Sequence, residues 1–150
     1  MKKFLIFLTL TFCFFTVFAT TVKTREAQIV AVNWLNYQTD GNYDLGNVEK
    51  VFSKIKDKIT IYYIVTFKPV GWVIVSGSDI TEPVLGYSTS SRFDIDQMPS
   101  QVKGWMDGLT NEIDSAIKNK LTPSTLVSQK WQTYSEKLIS KPSLKSVNKV

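Results

Sequence analysis

Apolar positions along the chain change period several times, and each change marks an element. From Thr24 onward, Ala27, Val30, Ala31, Trp34 and Leu35 recur at three- and four-residue spacing, which is one apolar stripe of a helix. Thr24 stands where it can cap that helix, and Glu26 places negative charge in the first turn, where the helix dipole favours it. The pattern breaks over Asn36 to Gly46, with Asp40-Gly41-Asn42 as a turn signal. Val48 to Ser53 is a short segment of ambiguous pattern, read as a strand.

Period two begins at Ile59. Ile59, Ile61, Tyr63, Val65 and Phe67 alternate with Thr60, Tyr62, Ile64 and Thr66, and the β-branched content predicts a strand. Lys68-Pro69-Val70-Gly71 carries proline and glycine where a type I turn wants them. Trp72 to Ser76 is the second strand of the resulting hairpin. Large apolar groups occupy both faces of Tyr62 to Val75, so the sheet is expected to be covered on both sides. Gly77 to Pro83 turns the chain again, Val84-Leu85-Gly86-Tyr87-Ser88 is a third strand, and Phe93 begins another short one. Gly86 marks a bulge or a close backbone approach.

Asp94 to Gln101 is a polar connection containing Pro99, with Ser100 placed to cap the next helix. Val102, Trp105, Met106, Leu109, Ile113, Ile117 and Leu121 form a long helical stripe. Burying such side chains contributes about 1.5–3 kcal/mol each before entropy is counted. This helix is therefore expected to be the main cover of the sheet, with Trp105 and Met106 in the core. Thr122-Pro123 ends it. An amphipathic segment around Leu126 to Leu138 packs Trp131 and Tyr134 on the body, and the Lys/Ser-rich end is a flexible tail. The sum is an α+β fold: a small antiparallel sheet packed against two main helices.

The first residues add a compartment. Lys2 and Lys3, the uncharged run Phe4 to Phe18 and the small Ala19 have the three parts of a secretory signal, with Thr20 as first mature residue. The run is shorter than the ~20 apolar residues that span a bilayer. The expected organisation is a signal peptide over 1–19, one domain over 20–138 and a tail over 139–150, with a secreted or periplasmic destination and no membrane span after cleavage. Formal net charge is +5, two units of which belong to Lys2 and Lys3. The remaining cations are scattered, and nucleic-acid binding wants a denser stripe.

Composition then closes several chemistries. The chain has no histidine, and its single cysteine, Cys13, lies in the signal. Ser–His and Cys–His catalysis and His-ligated metal sites cannot be built from the exported part. No disulfide, nucleotide-binding loop or EF-hand pattern is expected, and no cofactor is called for. The reading is that the protein is not an enzyme.

Gly71-Trp72-Val73-Ile74-Val75-Ser76-Gly77-Ser78-Asp79, followed by Glu82-Pro83-Val84-Leu85-Gly86-Tyr87-Ser88, resembles the propeptide of the streptopain family of secreted cysteine proteases. The resemblance extends through Thr89-Ser90, Phe93-Asp94 and the helix from Val102, and back to the first helix. It covers roughly residues 24 to 122, beyond which the protease pattern is not followed. The family also includes freestanding inhibitors that resemble the propeptide. The resemblance implies a secreted inhibitor of a streptopain-like cysteine protease that blocks the active-site cleft without covalent chemistry. A propeptide-type folding chaperone, or a truncated zymogen prodomain, is the alternative.

In the resembling propeptides the connection before the second helix approaches the partner's catalytic cleft. By motif position this nominates Met98, Ser100 and Gln101, with Met98 and Pro99 as exposed apolar points and Arg92, beside Phe93, as an exposed anchor. Ser100 serving only as a helix cap is the competing reading. Asp94 and Asp96 look like a catalytic pair but fit turn formation better. A surface or carbohydrate-binding module using Tyr37, Tyr43 and Trp131 is a third possibility of another class.

Overall fold

The computed structural model describes residues 20–39, 41 and 43–136. The signal read over 1–19, the tail read over 139–150 and the last residues of the expected domain lie outside the described residues. Within them no helix is long and apolar enough to cross a membrane.

Four strands form one antiparallel meander in the order β1-β2-β3-β4. They are β1 (Val48–Lys56), β2 (Ile59–Phe67), β3 (Trp72–Ser76) and β4 (Val84–Ser88). The last three have the bounds the alternation predicts. β1 runs past Ser53 to Lys56, because pairing with β2 continues to Lys56 opposite Ile59. Its polar pattern hid it: the half facing solvent at a sheet edge needs no apolar residues. Asp57 and Lys58 turn the chain with φ 51° and 67°, the left-handed pair of a two-residue hairpin. The β2–β3 loop is not the type I turn expected. It contains a cis Lys68–Pro69 peptide, and Gly71 has φ 114°. No strand forms at Phe93, which lies in the loop after β4.

Three helices cover both faces of the sheet. Helix α1 (Thr24–Gln38) buries Ala27, Val30, Ala31, Val32 and Leu35, and meets Tyr63, Val65, Phe67, Val73 and Val75. Helix α3 (Thr125–Ser135) closes against α1 with buried Trp131 and Tyr134, as the sequence predicts for these two rings. Helix α2 (Ser100–Lys118) lies on the opposite face, where Met106 and Ile113 join Tyr62, Ile64 and Ile74. Ile61 joins this second cluster although alternation assigns it to the first. The β1–β2 register skips it between Lys54–Tyr62 and Ile55–Thr60, and such a bulge reorients a side chain.

Two expectations about burial are corrected. The main cover is α1 with α3, not α2. Trp105 is 43 % exposed and Leu121 is 52 % exposed, the latter because α2 ends at Lys118. Periodicity identifies a stripe but not its width of contact, and α2 crosses only part of its sheet face. The indole of Trp105 instead lies over Gly86, where a Cβ would sit 3.0 Å from Cη2. Gly86 is thus the close approach expected of it, next to a register shift at Ile74/Val75.

Neither expected side-chain cap forms. Lys23 and Pro99 occupy the positions before α1 and α2, and neither helix has a side-chain cap bond. α1 is instead held by what precedes it: the Val22 N–H donates to the Gly77 carbonyl (3.0 Å) and the Tyr63 hydroxyl donates to the Val22 carbonyl (2.9 Å). α3 does have its cap, with the Ser124 hydroxyl accepting from the Val127 N–H at 3.2 Å. Its far end is held by the buried Asn33 amide, which donates to the carbonyls of Tyr134 (2.9 Å) and Glu136 (3.2 Å).

Candidate functional site

The chain between β4 and α2, residues 89–99, is an irregular loop presented by two rigid elements. Both of its ends are tied down. Ser88 Oγ accepts from the Ser91 N–H (3.1 Å) and from the Ser91 hydroxyl (2.7 Å), and the Trp72 indole N–H donates to Ser91 Oγ (3.1 Å). Phe93 packs edge-on against Trp72 with ring centroids 5.2 Å apart. At the other end Met98 packs on the α2-side core. Between these anchors Asp94 shapes the tip: its Oδ1 accepts from the N–H groups of Asp96 (2.9 Å) and Gln97 (3.1 Å). Asp94 is therefore the turn-former that the sequence favoured over a catalytic carboxylate.

The structure puts the nominated residues in different roles. Arg92 is exposed and donates through Nη2 to the Pro69 carbonyl (3.1 Å), with Nη1 4.0 Å from Glu49 Oε2. It ties the loop to the β2–β3 turn while leaving most of its guanidinium open. Met98 is half-buried, which corrects its reading as an exposed apolar point; its side chain packs against the α2-side core. Pro99, Ser100 and Gln101 are exposed, and the Ser100 hydroxyl donates to Gln101 Oε1 (3.2 Å) rather than capping α2. The apolar tip is Ile95, which is 44 % exposed amid Asp94, Asp96 and Gln97. The sequence reading passed over it. In the sequence it is an isoleucine between two aspartates in a segment with no periodicity.

The aromatic residues considered for carbohydrate binding form no shared platform. Trp131 is buried and its indole N–H donates to the Thr81 carbonyl at 2.7 Å. Tyr37 packs against Trp34 and Tyr134, while the Tyr43 hydroxyl donates to the Val70 carbonyl at 3.3 Å and its ring meets Phe67. Of the three rings Trp131 is buried, and Tyr37 and Tyr43 are half-buried in separate packing contacts.

Charge around the site is mixed. Glu49, Lys50, Arg92, Asp94 and Asp96 surround a hollow of about 300 Å³ on one side of the loop. On the other side Tyr62 is pushed above its ordinary value, chiefly by burial, with the Thr110 hydrogen bond opposing and Asp107 adding to the rise. Farther along α2, hydrogen bonds from Lys56 and then Lys118 hold the Asp114 carboxyl below its ordinary range. Those two lysines tie the C-terminal half of α2 to the end of β1, through Lys56, and to the β1–β2 turn, through Asp57.

A family model described as Spi protease inhibitor matches residues 19–113, more than half of the chain. The match takes in α1, the whole sheet, the loop and most of α2, and leaves α3 outside. No curated protein and no solved structure gives a match.

Proposed function

The chain belongs to the Spi protease inhibitor family, and from that membership we propose that it inhibits a streptopain-like cysteine protease outside the cytoplasm. The mechanism is steric and non-covalent. The loop over residues 89–99 enters the edge of the partner's active-site cleft, with Ile95 as apolar tip, Arg92 as flanking cation, and Pro99, Ser100 and Gln101 along the shoulder. Met98 supports the loop from beneath.

The observation that carries this reading is a loop with an exposed apolar tip and fixed ends. Rigidity in the bound conformation reduces the entropy lost on association, and protease inhibitors depend on it. Three ties hold the loop before any partner arrives: Arg92 to Pro69, Phe93 on Trp72, and the Asp94 turn. Nanomolar inhibition requires about −12 kcal/mol, usually from an interface near ~1,600 Å² with a few anchors that dominate. The loop alone is too small for that, so the flanking surface of β1 and α2 takes part.

The test is a titration of a streptopain-type protease with the purified protein while peptide hydrolysis is followed. Loss of activity at one equivalent, with the protein intact afterwards, supports the reading. Progressive cleavage of the protein with recovery of activity would instead point to a maturation segment. Undiminished hydrolysis at excess protein would overturn the proposal.

A further inference from the structure

The hollow on the α2 side of the loop has features that steric blocking alone does not use. It encloses about 290 Å³ and is lined by Phe52 and Ile64 from the sheet, Met106 from α2, and Met98 and Ile95 from the loop. Two of these are methionines, whose unbranched thioethers adapt to varied apolar shapes. Lys54 of β1, and Lys103 and Asp107 of α2, supply the charged lining. Two cations thus face one carboxylate. Among the described residues, Lys56, Lys118 and Lys130 each pair with a carboxylate, whereas Lys54 and Lys103 make no ion pair. An apolar hollow whose rim holds two ammonium groups against one carboxylate has a net positive edge, which complements an apolar group that carries a negative neighbour.

We propose that this hollow receives an apolar side chain flanked by a carboxylate, on a polypeptide segment of the target protease. The inference rests on the inhibitory reading for the identity of that partner. A polypeptide is the occupant because Ile95 belongs to both surfaces: it lines the hollow and is the exposed tip of the loop. A protein surface engaged by the tip passes directly over the lysines. The contact therefore works as the second anchor that the loop by itself lacks. It confers specificity by charge, since a partner with a basic residue beside its apolar side chain meets two cations, Lys54 and Lys103, against the single carboxylate of Asp107.

The experiment needs no protease, so its failure is separate from failure of the inhibitory reading. Isotopically labelled full-length protein is titrated with four probes, followed by amide shifts. These are the blocked peptides Ala-Leu-Glu-Ala, Ala-Leu-Lys-Ala and Ala-Ala-Glu-Ala, and octanoate. The Leu-Glu peptide is expected to move the amides of Met98, Lys103 and Met106, and to bind at least about tenfold more tightly than either other peptide. Lys54→Glu combined with Lys103→Glu, both at exposed positions, is expected to reverse the preference between the Glu and Lys peptides while leaving the melting temperature unchanged. Lys103→Ala alone is expected to weaken the Leu-Glu peptide without reversal. Equal binding of the Lys and Glu peptides, tighter binding of octanoate than of the Leu-Glu peptide, or no shift at these amides would overturn the assignment. If the peptide binds as expected and no cysteine protease is inhibited, the hollow stands and the choice of partner fails.

Discussion

Gly77 lies against the backbone of Thr60. A Cβ at Gly77 would collide with the Thr60 carbonyl oxygen and sit 2.7 Å from its carbon. The closeness has a use. The Gly77 N–H donates to the Ile61 carbonyl (2.8 Å), and the Gly77 carbonyl accepts from Val22 (3.0 Å), so one residue joins the end of β3 to β2 and to the segment leading into α1. Gly77→Ala forces backbone against backbone, which cannot yield as a side chain does. The expected loss is at least the ~1–3 kcal/mol typical of overpacking. Urea unfolding of the variant measures it, and a midpoint equal to the parent's would contradict the close approach.

The β1–β2 turn can be improved. Lys58 has φ 67°, a conformation costing a side-chain-bearing residue about 1–2 kcal/mol. Lys58→Gly removes that cost but widens the unfolded ensemble, so a net gain of roughly 0.5–1 kcal/mol is expected. Asp57 is retained because it accepts from Lys118 at 3.1 Å. A thermal midpoint at or below the parent's would refute this account of the turn.

Acid stability should depend on Asp114. Hydrogen bonds from Lys56 and Lys118 lower its pKa in the folded chain below the ordinary 3.8. With the folded value the lower one, the stabilisation is present above pH 3.8 and is lost as pH falls through the folded value. Asp114→Asn is expected to be less stable than the parent at neutral pH, and the gap should narrow as the solution is acidified below pH 3.8. Melting curves of both proteins across that window decide it; a gap independent of pH would show that the lysine contacts are not the cause.

Ile95 and Met98 should separate function from stability. Ile95→Glu changes an exposed tip, so inhibition should weaken at least about tenfold, or ~1.4 kcal/mol, with the melting temperature unchanged. Met98→Asp places a charge against the half-buried α2-side packing and should lower stability by about 1–3 kcal/mol, within the usual range for such changes. Paired inhibition and melting measurements test both. If Ile95→Glu inhibits like the parent, the tip is not the contact.

Alkaline conditions probe the α1–α3 contact. Burial, aided by Tyr37 and Glu82, pushes Tyr134 up to about 12. The folded chain therefore resists its ionisation, and the associated stability is present below pH 10.0 and declines as pH rises toward 12. Tyr134→Phe should lose less stability than the parent between those values. An identical alkaline decline in both would remove Tyr134 as its source.

Some of this was legible in one dimension. Strict alternation over Ile59–Phe67, and the short apolar runs at Trp72–Ser76 and Val84–Ser88, delimit three strands, because a two-residue period leaves no other conformation that segregates their side chains. Helical spacing locates α1, α2 and α3 for the same reason, and apolar residues on both faces of β2 and β3 require cover on two sides. The absence of histidine, and of any cysteine beyond Cys13, removes whole mechanisms without reference to shape.

What spacing could not supply is which surfaces meet. A stripe on α2 includes Trp105 whether or not the sheet extends beneath it, and only the crossing of helix and sheet leaves that indole over Gly86. The bulge at Ile61, the exchange of roles between Met98 and Ile95, and the two unpaired lysines beside an apolar hollow all depend on residues distant in sequence. Local periodicity is written by each element's own geometry; the position of one element on another is set by packing among all of them, and it is there that the candidate binding surface was decided.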